Sequence, residues 1–512
     1  MIHDPFVCEV RCPIHGFIGL TELERDIVNH PVFQRLRWIK QLGWTDYVYP
    51  GASHTRFEHS LGVMHLASRL YEAVAGASEH MLKEAFAYTE AGLSHDWQVV
   101  RLAGLLHDVG HPPFSHATEH LLPWKTLEVP QLFPGLAKPA EQYEHEDYSV
   151  AIIEIFLKDL IEKHRSNRRN LRITTKEIAA LISKRTPGGL TLFWKDIISG
   201  QLDADRMDYL LRDSLHAGVS YGRFDLDRVV NSVCAIRRPE EESAEPKIAI
   251  MKGGIFAAEA LIVARYWMHK QVYFHKTRLA FDHHLEKAVE EILSEDQKFK
   301  TGSGCFPGPG SEEELKRFLE WDDHRVMELL NTGHGGEHGE RLMKRNHFRL
   351  VCELDESGTT VDELKASAMR NDRIVSGLGA LVKHVTQPKT LWYKAEPANE
   401  LVLVDDDGKS QIGLLSQHSA LMKSINFGFP RYVFADRSDA QAAREKLKRL
   451  LEEESRSPGS PSDGPPTSKA ATIRERAPAS VGPAKGARKS PARPTRRGRK
   501  PEQSRPAPKK GI

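Results

Sequence analysis

The sequence predicts a mainly α protein, with a helical core over residues 1–300, a smaller α+β lobe over 305–455 and a disordered basic tail over 456–512. Three observations predict this. Apolar residues recur at helical spacing through most of the first 300 positions. A Gly- and Pro-rich run, Thr301 to Gly310, then interrupts the chain, and the pattern beyond it is mixed. After about residue 455 the composition turns to Pro, Ser, Ala, Lys and Arg, with too little apolar surface to offset the entropy of ordering.

Each element has a local reason. Phe6 to Val10 and Gly16 to Leu20 read as short extended pieces. Thr21 followed by Glu24 is a capping-box signature, so a helix starts there. Val32 to Ile39 has helical spacing, and Tyr47 to Ser53, with Pro50-Gly51, reads as a loop. Helices are expected from Phe57 to Val74 and from Asp96 to Val109. The second is apolar nearly all round and should be buried. Further helices are expected over Glu146–Leu157, Thr175–Lys184 and Ala204–Asp213, with a long one from Ala257 to about Leu293. Val233 to Met251 looks like a hairpin. In the second lobe, Glu312–Leu330, Val361–Met369 and Ala440–Glu453 are helical in pattern. Leu391–Tyr393, Leu401–Val404 and Tyr432–Phe434 are strand-like by their β-branched and aromatic content.

Composition narrows the class. With 40% hydrophobic and 28% charged residues the chain is typical of soluble proteins. No run approaches the roughly 18 apolar residues of a membrane span, and Met1 to Pro5 lacks a signal-peptide profile. A cytoplasmic protein without membrane association is expected. Five scattered cysteines imply no disulfide framework. Cys8 and Cys12 have the spacing of half a zinc site, but no second pair follows, so they read as free thiols. The net charge of +2 hides an asymmetry. From Ser455 onward there are 15 Lys or Arg against 3 acids, which leaves the rest net negative.

The chemistry gathers between Arg56 and Asp213. His59, His107, Asp108 and Asp205 have the character of metal ligands, with the His107-Asp108 doublet set in an apolar run. Burying such groups is costly unless something pairs with them, and a cation is the simplest partner. Two imidazoles and two carboxylates suit Mn, Fe, Zn or Ni, with Mg as an additional ion. One buried histidine is usually a core residue; all four residues together ask for a different reading.

Longer stretches carry a resemblance. They include Pro13-Ile14-His15-Gly16, Phe33-Gln34-Arg35-Leu36-Arg37, Pro50-Gly51-Ala52-Ser53-His54 and Arg56-Phe57-Glu58-His59-Ser60-Leu61-Gly62. Others are His107-Asp108-Val109-Gly110-His111, Pro113-Phe114-Ser115-His116 and Asp205-Arg206-Met207-Asp208-Tyr209. The chain resembles the HD-domain phosphohydrolases, and within them the SAMHD1-like deoxynucleoside triphosphate triphosphohydrolases (dNTPases). The resemblance implies an HD-domain helical core and the same four metal ligands. It also implies attack of water at the α-phosphorus of a dNTP, releasing deoxynucleoside and triphosphate. His116 is then the donor to the leaving 5′-oxygen. Glu119, three residues on, could orient it on a shared helical face, and His111 and His145 complete the polar wall. Arg56, Arg206, Tyr209 and Arg265 fall at phosphate-binding positions, with His269 one helical turn past Arg265. Asp213 and Gln41 would hold the 3′-hydroxyl, and Leu42 and Tyr273 would leave no room for a 2′-hydroxyl.

The chain also departs from that pattern. Cys12 stands where the family has an Asp that reads a guanine base at an activator site, so activation of that kind is not expected, although another nucleotide activator could serve. Phe274 replaces a polar residue beside Tyr273. Family members commonly assemble, so a homo-oligomer is expected. The tail could hold nucleic-acid phosphates or simply solubilise the chain. The alternative functions are a phosphodiesterase or nuclease on the same metal site, and a non-catalytic nucleic-acid-binding scaffold.

Overall fold

The structure is a computed structural model. It describes residues 5–125, 141–183, 193–237, 246–295, 304–355, 361–387, 400–406, 408, 410–424 and 430–456. The basic tail and Leu391–Tyr393 lie outside these residues.

The chain opens with an antiparallel hairpin, β1 (Cys8–Cys12) and β2 (Gly16–Leu20), with Cys12 opposite Gly16. The expected capping box follows. The Thr21 amide donates to Glu24 at 2.9 Å, and helix Glu22–Val28 begins there. Glu24 has a second task. Its buried carboxylate receives Arg101 Nε at 2.6 Å and Nη2 at 2.8 Å, and Arg101 also reaches Ser68 and the Gly19 carbonyl. Burial would raise the Glu24 carboxyl, but the Arg101 charge outweighs it and holds the group below its usual range. This fork joins the hairpin, the first helix and the two central helices.

Those central helices are Arg56–Ala77 and Glu90–Leu106. The first is capped by Thr55, whose amide donates to Glu58. Their interface uses Gly104, where a Cβ would press within 3.1 Å of the Met64 backbone. The second helix begins before Asp96 and ends at Leu106, earlier than the sequence pattern suggests. His107 and Asp108 therefore sit in the turn beyond its end. Pro112 and Pro113 follow closely, and proline disfavours helix at the residue before it.

Three other expected helices are broken. His145–Ile152 passes into a wider π turn at Ile153–Leu157. Glu312–Leu319 and Asp323–Asn331 are separate helices, the second capped by Asp322, whose side chain accepts from the Arg325 amide at 2.8 Å. The long helix expected over Ala257–Leu293 is Ile255–Met268, a π turn at His269–Tyr273, and Lys276–Glu295. There the Phe274 amide reaches back five residues to the His269 carbonyl at 2.8 Å, so one extra residue fits into the turn. Helix Ala204–Ala217 runs one turn past its expected end and stops at Gly218, in the left-handed region.

Two sheets complete the chain. The hairpin of β3 (Val233–Ile236) and β4 (Lys247–Met251) is extended by β7 (Val402–Val404), parallel to β4, and then by β8 (Gln411–Leu414). A strand from the C-terminal part thus enters a sheet begun in the helical part. The other sheet has the order β5–β9–β6, from β5 (Arg349–Leu354), β6 (His384–Thr386) and β9 (Arg431–Ala435). Tyr432 and Phe434 face Ala280 on helix Lys276–Glu295. Val433 and Ala435 face Ile374, Leu378, Ala443 and Leu447, from helices Val361–Leu378 and Ala440–Arg456. Among the described residues, no helix is long and apolar enough to cross a membrane.

Candidate active site

Helix Arg56–Ala77 delivers His59, the turn after Leu106 delivers His107 and Asp108, and helix Ala204–Ala217 delivers Asp205. The four meet. His59 Nε2 is 3.0 Å from Asp205 Oδ1 and 3.6 Å from Asp108 Oδ2. His107 Nε2 is 3.3 Å from Asp108 Oδ1 and 3.7 Å from Asp205 Oδ1. Gly62 permits the helix approach, because a Cβ there would overlap the Asp208 carboxylate and Arg212.

The donor set fits a divalent cation. His107 Nδ1 donates to the Gly104 carbonyl at 2.9 Å, which leaves its Nε2 lone pair facing the cluster, buried and, among the described residues, without a hydrogen-bond partner. His59 Nδ1 donates to Asp208 Oδ2 at 2.8 Å, which aims its Nε2 the same way. Burial alone would depress the His59 imidazole, but bonds to Asp205 and Asp208 push it up to about 10. Burial would raise Asp205, yet His107 and His59 hold its carboxyl below its usual range. Asp108 is likewise held well down, against burial, by Arg56 and by His107. A cation would take the place of the shared protons.

Sequence reasoning missed Asp208, although it lies three residues from Asp205 on the same helix. Besides orienting His59, it receives His15 Nε2 at 2.7 Å and Arg212 Nε and Nη2 at 2.8 and 2.9 Å. Carboxylates that orient metal-binding histidines recur at such sites. Arg212 also touches Cys12 Sγ at 3.4 Å, so Cys12 abuts this support.

A second group lies beside the first. His116 Nδ1 is 2.7 Å from Glu119 Oε2, and His145 Nδ1 is 2.6 Å from Glu119 Oε1. Glu119 and His116 belong to successive 3₁₀ turns, Ser115–Ala117 and Glu119–Leu121, and not to one continuing helix. The His116 side chain is 60% exposed and open to a ligand. His111 stacks on His145 with ring centres 3.8 Å apart, and its Nε2 is 3.4 Å from Asp108. Burial keeps His111 neutral to well below its usual range, while burial of His145 is overcome by Glu146 and Glu119, which push it up to about 9.

Most of the remaining candidates are linked by contacts running from Arg206 to Gln41. Arg206 pairs with Asp203 at 3.1 Å, and Tyr209 carries electrostatic links to Arg265 and Arg206. Tyr209 and Tyr273 lie edge to face at 6.0 Å, and His269 lies 5.0 Å from Tyr273. Among the described residues, both nitrogens of buried His269 lack a hydrogen-bond partner. Tyr273 donates to Asp213 Oδ2 at 2.7 Å, and His54 Nε2 meets Asp213 Oδ1 at 2.7 Å. Gln41 joins through its backbone amide, which donates to the His54 carbonyl at 3.0 Å. Its side-chain Oε1 is buried and, among the described residues, without a partner, and the next residue, Leu42, is buried too. Arg56, expected at the phosphates, here bonds to Asp108 and, at 2.7 Å, to the Ser115 hydroxyl.

The chain is similar to proteins already known. Residues 56–213 match the HD domain, and residues 225–376 match the HD associated region. The chain is 37% identical over 286 residues to an uncharacterised protein of Methanocaldococcus jannaschii, covering 56% of this chain and 50% of that protein. It is 32% identical to the deoxynucleoside triphosphate triphosphohydrolase SAMHD1 homolog of Dictyostelium discoideum, covering 69% of this chain and 61% of the relative. Against human SAMHD1 it is 28% identical, with coverages of 70% and 57%. The chain thus spans between 50% and 61% of the length of these relatives. A solved structure, a hypothetical protein from Aquifex aeolicus, superimposes with a TM-score of 0.63 at 27% identity, covering 86% of this chain and 99% of that one.

Proposed function

We propose that this chain, which carries the HD domain and the HD associated region and is similar to SAMHD1 and its homologues, is a metal-dependent hydrolase of deoxynucleoside triphosphates, releasing deoxynucleoside and intact triphosphate. One observation carries the reading: His59, His107, Asp108 and Asp205 converge beside the His116–Glu119–His145 group. A divalent ion held by the first four would supply Lewis acidity at the α-phosphate and activate water.

The chain's own residues do the rest. Glu119 holds His116 by Nδ1, so Nε2 is the atom that gives a proton to the departing 5′-oxygen. Glu119 is held ionised, because His145 and His116 outweigh its burial. Arg206, Arg265, Tyr209 and His269 receive the phosphates, whose charge needs converging cations and donors. Asp213 is pinned by His54 and Tyr273 yet keeps lone pairs, so it accepts from a 3′-hydroxyl, whose oxygen in turn accepts from the Gln41 side-chain NH2. Leu42 and Tyr273 close the sugar's 2′ side, so a ribonucleotide would clash.

The test is a product assay. Purified protein with Mn or Mg is incubated with each dNTP, with and without added nucleotides, and the products are resolved. Deoxynucleoside and triphosphate are expected. Monophosphate with pyrophosphate, cleavage of oligonucleotides alone, or no turnover with any dNTP would overturn the reading.

A further inference from the structure

The loop that carries His116 is strained. Phe114 and Ser115 both adopt the left-handed region, with φ of 57° and 59°. Consecutive non-glycine positions in this region are costly and persist only where the surroundings fix them. Part of that fixing comes from outside the HD domain. Asp323, the first residue of helix Asp323–Asn331, accepts from the Phe114 amide at 2.7 Å through Oδ1 and from the Lys40 amide at 2.9 Å through Oδ2. One carboxylate therefore bridges the two segments that border the site from opposite ends. Phe114 is two residues before His116, and Lys40 is adjacent to Gln41 and Leu42.

Neighbouring contacts tighten the same junction. The Ser115 hydroxyl donates to the Lys40 carbonyl at 2.6 Å. Arg35 donates to the Trp321 carbonyl through Nε and Nη2, at 3.0 and 2.7 Å, and to the His111 carbonyl through Nη1 at 2.9 Å. Trp44 packs on the Phe114 ring at 5.1 Å. Burial pushes the Asp323 carboxyl up to about 7 against the pull of the two amides. Its partners matter to its charged form, and among the described residues it makes no ion pair.

We propose that Asp323 is a positioning residue: it fixes the His116 loop and the Gln41–Leu42 segment relative to each other, and so sets both turnover and the choice of deoxyribose over ribose. This rests on the dNTP reading above. Asp323 touches no reacting atom and acts through two backbone amides. An Asn there keeps the volume but points N–H at one of those amides, so one of the two bonds is lost.

The test uses the full chain with Asp323→Asn, Mn, dATP and ATP. We expect kcat for dATP to fall about 10- to 100-fold, as small misplacements of catalytic groups do. The dATP/ATP ratio of kcat/KM should fall at least about fivefold, with bound metal unchanged, because the 2′ wall is loosened while the metal ligands are untouched. A merely structural role would lower the active fraction and leave that ratio alone. A ratio within twofold of wild type in an active Asp323→Asn protein overturns the inference but spares the dNTP reading. Absence of dNTP turnover in the wild type sinks that reading instead. Amide exchange on the wild-type protein decides the clasp even where the variant does not fold. The Lys40 and Phe114 amides should be as protected as helix Glu90–Leu106, and exchange at loop rates overturns the proposal.

Discussion

Replacing Asp208 by Asn separates metal binding from fold. The carboxylate accepts from His59, His15 and twice from Arg212, all buried. The amide keeps one acceptor oxygen and turns an NH2 toward donors, and the guanidinium loses its nearest counter-charge, keeping only the half-buried Glu58 carboxylate at 3.8 Å. Loss of an orienting group behind a metal-binding histidine weakens affinity by about 10- to 100-fold, which is about 1.4–2.7 kcal/mol. A buried cation without its partner costs about 3–5 kcal/mol of stability. The two effects separate in a double variant, Asp208→Asn with Arg212→Met, which removes the orphaned charge. Stability in urea should largely recover, while metal affinity, read by competition with a fluorescent chelator, should stay low. Single-variant affinity within threefold of wild type in a folded protein, or full recovery of affinity in the double variant, would refute the assignment of Asp208 to His59.

Other outcomes follow from the same geometry. His107→Ala should lose bound metal and turnover together, whereas His116→Ala should keep metal and lose turnover by about 100-fold or more; elemental analysis beside the product assay checks both. Arg101→Met should destabilise the fold by about 3–5 kcal/mol at pH 7, because it strands Glu24. Glu24 titrates below its usual value in the fold, so its ion pair stabilises above about pH 4.5 and is lost as pH falls through the lowered value. The gap between wild type and Arg101→Met, read by denaturant melts, should therefore shrink toward pH 4. Finally, GTP should raise dNTP turnover less than about twofold. Cys12 is buried against Arg212, and a thiol is too weak an acceptor to read a guanine edge.

The convergence of His59, His107, Asp108 and Asp205 could be expected from sequence because their chemistry is restrictive: few reasons place two imidazoles and two carboxylates in apolar surroundings. Asp208 escaped because its role lies in a hydrogen bond to a residue nearly 150 positions away. Asp323 escaped for the same reason, since an N-terminal helix acid already has a local explanation in the helix dipole. Helix existence followed from periodicity. The break at Phe274–His275 did not, because no Gly or Pro marks it and the π turn is set by what Tyr273 must reach. The Arg265, His269, Tyr273 spacing looked like one straight face and is one residue out of step. Cross-chain pairing was equally hidden: nothing near Leu401 names β4 as its neighbour.

That parallel pairing bears on how the protein is made and trimmed. During synthesis β4 must wait for some 150 further residues before β7 can flank it, and long-range parallel contacts form late. Until then, the outer edge of Lys247–Met251 offers unpaired amides and carbonyls to any passing chain. A fragment cut at residue 376, where the HD associated region ends, would keep that edge bare for good. Such fragments should precipitate on expression, and the shortest well-behaved version should reach past Leu414.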